Sequence, residues 1–517
     1  MISSYFPRLV LAAIILLGAT LRFWQVHESL WLDELHTAWA AADAWSDVAA
    51  RAAQGNQSPL FFWLTWSSLQ CFGESEWALR LPSLLAGIAL LPTLYLLVRQ
   101  GTGSTAAGLL AAGLAAIDRD CIFYSQEARP YALLQLVAAA HLWCLSRMME
   151  TPTWRWRTFV VLGAAAMFHL HYTAALLLLA EGVYFLSRTI GPKAWRCRYR
   201  WSQATMDVDL VAILCLPAMG NVLAIAARRA NWAVFIPQTP LDRLGTIFPL
   251  AYYLLAPLGL LAVSWAIAAL LTRSVSEGQA ARSHYGLTFF QAGLLFACWL
   301  LLPLVFAWIA TEQDWARLCT RRFLMASAAG QAALAAWLMA ACRGKFAQSL
   351  AAIAVLSLVV YQSGMISQYR YDGRLIGDRR QDWRGAVEWI QKHETNPGRP
   401  VFLHSGLIES RQPFDKSDPQ LRSYCLFPIS GIYRLQQAPE QLTPLPLYWE
   451  GRLDPEELER TIEQGGCWLV LLSAEPRYLE FAAMQVATDL LRAQAKPSYE
   501  HIHAFGEVLV CRVAAER

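Results

Sequence analysis

The sequence predicts a mainly helical, polytopic membrane bundle followed by a small α/β domain. The chain has 517 residues, of which 56% are hydrophobic and only 16% are charged, whereas soluble globular proteins carry about 25% charged residues. Apolar runs of membrane-spanning length recur up to residue 366, and after residue 367 charges occur throughout. This composition excludes an ordinary soluble enzyme. The net charge of only +4 gives no indication of nucleic-acid binding.

Eleven apolar runs are predicted to cross the membrane, because a spanning helix needs about 20 mostly apolar residues. The first is interpreted as a retained span, since no small-residue cleavage site of the signal-peptide type follows it. The runs are 7–24, 79–98, 104–120, 130–148, 157–170, 172–188, 208–227, 244–271, 286–309, 322–341 and 347–366. They define a predicted membrane domain over residues 1–366, with a first outer loop at 25–78.

A further run, Pro59–Phe72, decides the topology. Its 14 residues are few for a span, and it is rich in Trp and Phe and carries Thr, Ser and Gln, which suits a helix lying in the interface. With this helix interfacial, the most basic loop, KAWRCRYR (193–200), falls on the cytoplasmic side, as the positive-inside rule requires. We therefore predict an integral protein of the inner or plasma membrane whose C-terminal domain and active site are extracytoplasmic.

The last part of the chain, residues 367–517, is predicted to fold as a separate domain. Its spacing favours helices over 382–393 and 476–494, and strands over 400–405, 467–473 and 507–513. Alternating strands and helices are typical of an α/β domain.

Two adjacent acids, Asp33 and Glu34, follow the first span in the sequence SLWLDELHTAW (29–39). One interpretation is helix capping, with Asp33 as the N-cap and Glu34 in the first turn of a helix near 34–53. The other is a carboxylate at the lipid–water boundary that accepts a proton from an attacking hydroxyl. Both roles are compatible with one another.

The second outer loop, YSQEARPYAL (124–133), places Glu127, Arg129 and Tyr131 between two spans. They are interpreted either as a surface ion pair with an interfacial tyrosine, or as a substrate site. In the second case the guanidinium of Arg129 suits a phosphate, because its planar fork matches phosphate oxygens.

Two further pairs lie at predicted outer boundaries. His169 and His171 form a His-x-His turn, which suits hydrogen-bonding loop residues better than a metal site, although a divalent metal stays open. Arg321 and Arg322 open the tenth run and are either interfacial anchors or a second anion ligand. No dinucleotide, P-loop, nucleophile-elbow or HExxH motif is present.

Four segments together resemble the membrane glycosyltransferases of the GT-C superfamily: SLWLDELHTAW, NQSPLFFWLTWSSLQCFGESEWALRLPSLLAG (56–87), YSQEARPYALL and HLHY. The nearest groups are the protein O-mannosyltransferases, the lipid A aminoarabinose transferases and the lipid A core galacturonosyltransferase-like proteins. Many relatives carry His-Pro-Pro where this chain has Asn-Gln-Ser-Pro (56–59).

The resemblance implies a bundle with interfacial helices in the first outer loop, and transfer of a sugar from a polyprenyl-phosphate carrier to an acceptor glycan, lipid or protein. Asp33, with Glu34 beside it, matches the catalytic acids, and Arg129 with Arg321 or Arg322 matches the donor-phosphate ligands. Glu127, Tyr131, His169 and His171 are substrate-site candidates. The alternative function is a lipid or glycan transporter or flippase, but the sequence has no duplicated halves and its acids lie at the boundary instead of mid-span.

Overall fold

The structure, a computed structural model, describes residues 2–227, 238, 240–271, 289–377, 379–411, 418–473 and 476–516. It divides into two compact units. The first contains Met1–Val26, Asn56–Phe61 and Arg80–Ile376, and the second contains His27–Gly55, Phe62–Leu79 and Gly377–Arg517. Most of the predicted first outer loop therefore belongs to the same unit as the C-terminal residues. The division into domains 1–366 and 367–517 stays a prediction.

Helices make up most of the described chain, and their bounds follow. The α-helices are Ile2–Phe23, Leu32–Ala40, Val48–Gln54, Leu60–Phe72, Glu76–Thr102, Thr105–Ile117, Arg119–Ser125, Tyr131–Glu150, Trp154–Leu170, Ala175–Ile190, Trp201–Cys215, Met219–Ala227, Leu250–Leu271, Phe289–Glu312, Met325–Ala328, Gly330–Ala341, Lys345–Ser363, Met365–Asp372, Trp383–His393, Pro419–Ser430, Pro455–Glu463 and Pro476–Arg492. The strands are β1 (Val401–His404), β2 (Leu442–Pro444), β3 (Gly466–Leu472), β4 (Lys496–Phe505) and β5 (Val508–Glu516).

Nine of the eleven predicted runs coincide with membrane-spanning candidates, if the bent pair described next is counted as one span. Within the described residues, eight helices are long and apolar enough to cross a membrane, and a pair bent by 41°, Arg321–Ala328 with Gly330–Ala341, gives a ninth if it is one span. The two remaining predicted runs coincide with the shorter helices Thr105–Ile117 and Trp154–Leu170. The predicted fold class, a helical membrane protein with a small C-terminal sheet, is confirmed.

The helix Thr105–Ile117 shows how small residues allow close packing in the first unit. It begins at Ser104, whose hydroxyl accepts a hydrogen bond of 3.2 Å from the backbone N–H of Ala107. It packs against the helices Ile2–Phe23 and Gly330–Ala341. Tyr95 lies on the preceding helix, Glu76–Thr102. A Cβ on Gly108 would lie 2.8 Å from the Tyr95 carbonyl oxygen, so only glycine permits the backbones of these two helices to approach so closely.

The short helix Leu60–Phe72 has 13 residues, which corresponds to a length of about 20 Å. It is not among the candidate spans of the described residues. This length is well below the roughly 30 Å of a bilayer's hydrocarbon core, which favours the predicted interfacial position.

The second unit contains a mixed sheet of strand order β2-β1-β3-β5-β4. β2, β1 and β3 run parallel, whereas β5 pairs antiparallel with both β3 and β4. The helix Pro476–Arg492 covers one face, where Leu479, Val486 and Leu490 pack against the buried side chains of the strands. This is the predicted α/β domain.

Sequence reasoning located three of the five strands and both predicted helices of this domain. It missed β2, which has only three residues and ends in a proline. It also missed β4, KPSYEHIHAF, an edge strand that mixes polar and apolar side chains. Neither has the apolar run that marks a buried strand.

Candidate functional site

The helix Leu32–Ala40 carries both predicted catalytic acids, and it begins earlier than the sequence suggested. Its N-cap is Trp31, so Asp33 and Glu34 both lie in the first turn. The expectation that Asp33 is the N-cap is therefore wrong, and so is a single helix over 34–53, because Ala41 ends the first helix and a second begins at Val48. The capping contact belongs to Glu34, whose carboxylate accepts a hydrogen bond of 3.4 Å from the Trp31 N–H.

The two acids differ in accessibility. Glu34 is fully buried, whereas Asp33 is partly exposed. A general base must reach the proton that it abstracts. Their burial therefore favours Asp33 over Glu34 as the residue that meets a substrate.

Residues from distant parts of the chain hold the start of this helix within the second unit. The side-chain oxygen of Gln381 accepts a hydrogen bond of 2.9 Å from the Leu32 N–H. The Tyr433 hydroxyl accepts one of 2.9 Å from the Leu30 N–H and donates one of 3.0 Å to Glu76. Arg384 forms an ion pair with the same carboxylate of Glu76. Asp33 thus sits on a turn fixed by several hydrogen bonds.

The helix is also fixed further along. His36 is buried and lies against Phe62 and Tyr424, with ring centroids 5.4 and 5.3 Å away. A Cβ on Gly55 would lie 2.4 Å from the His36 ring. Only glycine therefore fits at position 55.

A second group of candidates comes together in the first unit, and we call Arg129, Tyr131, His171 and Arg322 the arginine–histidine cluster. Arg129 and Tyr131 are buried, at 4% and 3% exposure. The Tyr131 and His171 rings are 5.8 Å apart, and His171 lies 5.6 Å from the Phe323 ring, next to Arg322. The cluster therefore unites residues from three separate sequence motifs.

The pKa of His171 depends on both Arg129 and Arg322. Burial, followed by the positive charges of Arg129 and Arg322, lowers the pKa of His171 to about 3. The imidazole is therefore neutral at physiological pH. Both guanidinium groups therefore act on one imidazole ring, and the buried Glu127 lies in the same loop as Arg129.

The loop that carries Arg129 is held on both sides. The Arg129 carbonyl accepts a hydrogen bond of 2.9 Å from the Ser83 hydroxyl. The Gln126 amide donates to the carbonyl oxygens of Leu21 and Arg22, each at 3.1 Å. Pro130 directly precedes the next helix, Tyr131–Glu150. The backbone of this loop is thereby held by neighbouring helices.

Arg321 has a different environment from Arg322. Its three guanidinium nitrogens donate to the Asp120 carboxylate at 2.8 Å and to the carbonyls of Thr246 and Ile247, each at 2.9 Å. Arg321 is thus engaged by protein groups on every nitrogen. Of the two predicted arginines, Arg322 is the one that acts on His171.

Sequence reasoning missed two acids of this region, Asp118 and Asp120. Asp118 caps the helix Arg119–Ser125 and accepts a hydrogen bond of 2.6 Å from the Tyr253 hydroxyl. Burial and the neighbouring charge of Asp118 raise the pKa of Asp120 to about 6, against the opposing effect of Arg321 and Arg119. The available signal was the Asp-Arg-Asp triplet at the end of an apolar run, which was included in the predicted span 104–120.

The remaining candidates have distinct positions. Glu127 is buried. Burial, followed by the charges of Glu127 and Tyr131, raises the pKa of the Tyr124 phenol. Glu127 therefore lies near the arginine–histidine cluster. His169 shares a hydrogen bond of 3.0 Å with the carbonyl of Leu214, whereas His171 bonds Thr173 at 2.7 Å. The His-x-His motif thus has two separate environments. Among the described residues, no group of three or more His, Cys, Asp or Glu side chains could hold a metal ion.

Asp33 and Glu34 belong to the second unit, and the arginine–histidine cluster belongs to the first. The structure therefore brings Arg129, Tyr131, His171 and Arg322 together, with Glu127 and Arg321 nearby. The two acids form their own site on the helix Leu32–Ala40.

Part of the chain is similar to a known protein family. Residues 56–215 match the family model described as dolichyl-phosphate-mannose-protein mannosyltransferase. No curated protein sequence matches the chain.

Solved structures also match the chain, among them three with TM-scores below 0.5. The apo oligosaccharyltransferase of Archaeoglobus fulgidus has a TM-score of 0.44 and 14% identity over 76% of this chain and 59% of that chain. Apo ArnT from Cupriavidus metallidurans has a TM-score of 0.43 and 11% identity over 99% of this chain and 98% of that one. The mycobacterial arabinofuranosyltransferase AftD has a TM-score of 0.45 and 14% identity over 98% of this chain and 41% of that one. This chain thus spans well under two thirds of the length of the first and third of them.

Over residues 56–215, the family match supports the predicted resemblance to membrane glycosyltransferases. The described helices long and apolar enough to cross a membrane agree with a membrane protein. The family match covers the Arg129 loop and the His169–His171 turn.

Proposed function

We propose that this protein transfers a sugar from a polyprenyl-phosphate carrier to an acceptor hydroxyl on the extracytoplasmic face of the membrane. The observation that carries the proposal is the arginine–histidine cluster, in which Arg129 and Arg322 both act on the neutral ring of His171. The matched family model is named for a polyprenyl-phosphate sugar donor of this kind. A membrane-bound anion is the ligand that such a cluster suits.

The position of the cluster along the spans supports a ligand at the membrane boundary. Arg129 lies two residues before the candidate span Tyr131–Glu150, and His171 immediately precedes Tyr172–Ile190. Arg322 lies in the first turn of the bent pair Arg321–Ala328 and Gly330–Ala341. A lipid phosphate also lies at the boundary, with its prenyl tail among the helices.

The charge balance of the reaction explains why two cations are useful. The acceptor oxygen attacks the anomeric carbon, and the bond from that carbon to the phosphate oxygen breaks with its electron pair on oxygen. The carrier thereby changes from a singly charged phosphodiester to a phosphate monoester that carries up to two charges. Guanidinium groups held in place before the reaction stabilise this developing charge more strongly than the charge of the bound donor.

In this proposal Asp33 accepts the proton of the acceptor hydroxyl. It is partly exposed and sits on a turn fixed by Gln381 and Tyr433, which suits a base that must keep its orientation. Glu34, buried and bonded to the Trp31 N–H, supports the turn. Direct attack from the face opposite the phosphate gives inversion at the anomeric carbon.

Arg129 and Arg322 are proposed as the phosphate ligands. Arg321, whose nitrogens are engaged by Asp120 and two backbone carbonyls, is proposed to hold the segment that carries Arg322. Glu127 and Tyr131 line the same region.

The test uses purified protein in lipid nanodiscs and a panel of undecaprenyl-phosphate sugars with a labelled sugar. Mannose, galacturonate and aminoarabinose donors are each offered with protein, lipid A and glycan acceptors. We expect one donor to lose its label to an acceptor, with stoichiometric release of undecaprenyl phosphate. Asp33→Asn is the matched inactive control.

In sealed proteoliposomes the same assay separates a transferase from a transporter. Movement of the intact labelled donor across the bilayer, with no new glycosidic bond, would replace the proposal by the flippase alternative. Failure of the wild-type protein to bind any donor or undecaprenyl phosphate would exclude both.

A further inference from the structure

The hydrogen bonds around His171 fix which of its two ring nitrogens carries the proton. The Thr173 hydroxyl lies 2.7 Å from Nδ1 of His171 and 2.7 Å from the carbonyl oxygen of Phe323. A carbonyl oxygen only accepts, so the single hydroxyl proton of Thr173 is donated to Phe323. The bond to His171 must then be donated by its Nδ1–H.

A neutral imidazole carries one proton, so this bond leaves Nε2 of His171 as an unprotonated acceptor. The low pKa of His171, caused by burial and by the charges of Arg129 and Arg322, keeps the second proton off across the physiological range. Among the described residues, the bond to Thr173 is the hydrogen bond that the ring makes to the protein. Nε2 is therefore an unprotonated hydrogen-bond acceptor.

The chemistry of the donor decides what this acceptor can bind. The phosphate of a polyprenyl-phosphate sugar is a phosphodiester, which has only acceptor oxygens and no proton at neutral pH. A lone pair on Nε2 repels these oxygens, and the two guanidinium groups already suit them. The hydrogen-bond donors next to that phosphate are the hydroxyl groups of the sugar.

We propose that His171, held in its Nδ1–H form by Thr173, is a specificity-determining residue that accepts a hydrogen bond from a hydroxyl of the donor sugar through Nε2. This inference rests on the proposed function, since it assigns the sugar side of the same site. Arg129 and Arg322 bind the phosphate, and His171 distinguishes the glycosylated carrier from the bare carrier.

The chain supplies a matched control two residues away. Nε2 of His169 lies 3.0 Å from the Leu214 carbonyl oxygen, and because a carbonyl only accepts, His169 must be protonated on Nε2. The two histidines of one motif are thus held in opposite tautomers. Of these two histidines, His171 is the one with an unprotonated Nε2.

The experiment measures the affinity of purified protein in nanodiscs for two probes. One is undecaprenyl phosphate, and the other is the undecaprenyl-phosphate sugar that the wild-type protein binds best among mannose, galacturonate and aminoarabinose. His171→Asn keeps a donor near Thr173 and removes the Nε2 acceptor. His171→Gln places an amide oxygen close to the Nε2 position.

We expect His171→Asn to weaken binding of the sugar-bearing probe about tenfold, the usual effect of one lost hydrogen bond, with less than a twofold change for undecaprenyl phosphate. His171→Gln should recover part of the loss. Thr173→Val, which removes the hydroxyl at nearly constant shape, should weaken the sugar-bearing probe in the same selective way. His169→Asn should leave both affinities unchanged.

Unchanged undecaprenyl phosphate affinity also shows that the variants are folded. Equal losses for both probes, or no loss for either, would overturn the inference while leaving the proposed function intact. If the wild-type protein binds neither probe, the proposed function itself fails.

Discussion

The side-chain oxygen of Gln381 accepts a hydrogen bond of 2.9 Å from the backbone N–H of Leu32, the residue before Asp33. Gln381 is itself oriented, because the buried Trp383 indole donates to the same oxygen at 3.2 Å and the Gln381 backbone pairs with Gly506. A residue 349 positions away in sequence thus fixes the turn that carries the proposed base.

We therefore expect Gln381→Ala to lower the rate of sugar transfer by about tenfold, because a small displacement of a catalytic group costs up to roughly 100-fold. Donor affinity should be unchanged. Gln381→Glu keeps an acceptor for the Leu32 N–H and should restore most of the rate. The exposed Gln420 supplies the control Gln420→Ala. A parallel loss of donor affinity in Gln381→Ala would assign Gln381 to general folding instead.

Asp33→Asn should fold, bind donor and transfer sugar about 10²–10⁴-fold more slowly, the usual cost of losing a general base. The amide keeps the size of the carboxylate but cannot take a proton. The measurement is single-turnover transfer at equal donor occupancy. Near-normal turnover would return Asp33 to a structural role and make Glu34 the acid to examine.

Glu34→Gln should behave differently from Asp33→Asn. Glu34 is fully buried and accepts from the Trp31 N–H, and glutamine can keep that contact. We expect a smaller loss of transfer and a small fall in apparent Tm, corresponding to about 1 kcal/mol or less. A turnover defect larger than that of Asp33→Asn would exchange the two proposed roles.

Arg129→Ala should weaken binding of undecaprenyl phosphate, and Arg129→Lys should recover only part of it, because an ammonium replaces a planar fork by a point charge. Arg322→Ala should weaken the same binding, since Arg322 acts on the same ring of His171. Arg155→Ala, an exposed arginine elsewhere in the unit, is the control. Unchanged affinity in the Arg129→Ala variant would place Arg129 in a structural role beside Glu127.

How much of this structure could be predicted from the sequence depends on how far apart in the chain the interacting residues lie. Long apolar runs and span-end positions are local properties, so the spans, the α/β domain and the segments carrying Asp33, Arg129 and His171 were predictable. The bonds from Arg321 to Asp120, Thr173 to Phe323 and Gln381 to Leu32 join residues 201, 150 and 349 positions apart. No local pattern specifies such pairs, so they required the tertiary structure.

The pH dependence of stability provides a test of the Asp120 environment. The folded pKa of Asp120, raised to about 6 by burial and by Asp118, exceeds the unfolded value of about 3.9. Between these values the folded state binds more protons than the unfolded state, so stability falls as pH rises from about 4 to above 6. The total effect is about 3 kcal/mol.

Asp120→Asn removes this titration. The variant also lacks the ion pair with Arg321, and its own stability at this site does not vary with pH. The apparent Tm of the wild-type protein should therefore fall relative to that of Asp120→Asn between pH 4 and pH 7. Asp314→Asn is the control, because Asp314 is 70% exposed and forms a surface pair with Arg317. A constant difference between wild type and Asp120→Asn across this range would contradict a raised pKa.

The last prediction concerns topology, and it turns on the bent pair Arg321–Ala328 and Gly330–Ala341. In the part of the chain that the structure describes, four candidate spans lie between residues 200 and 375, and the bent pair makes five if it crosses the membrane. An odd number of spans places residues 200 and 375 on opposite sides of the membrane. The basic segment 193–200 favours the cytoplasmic side for residue 200. Reporter fusions after residues 200, 317, 343 and 375 measure this directly. We expect 200 and 343 to report the cytoplasm and 317 and 375 to report the outside. If 317 and 343 report the same side, the bent pair is a re-entrant loop, and the extracytoplasmic assignment of the C-terminal residues is wrong.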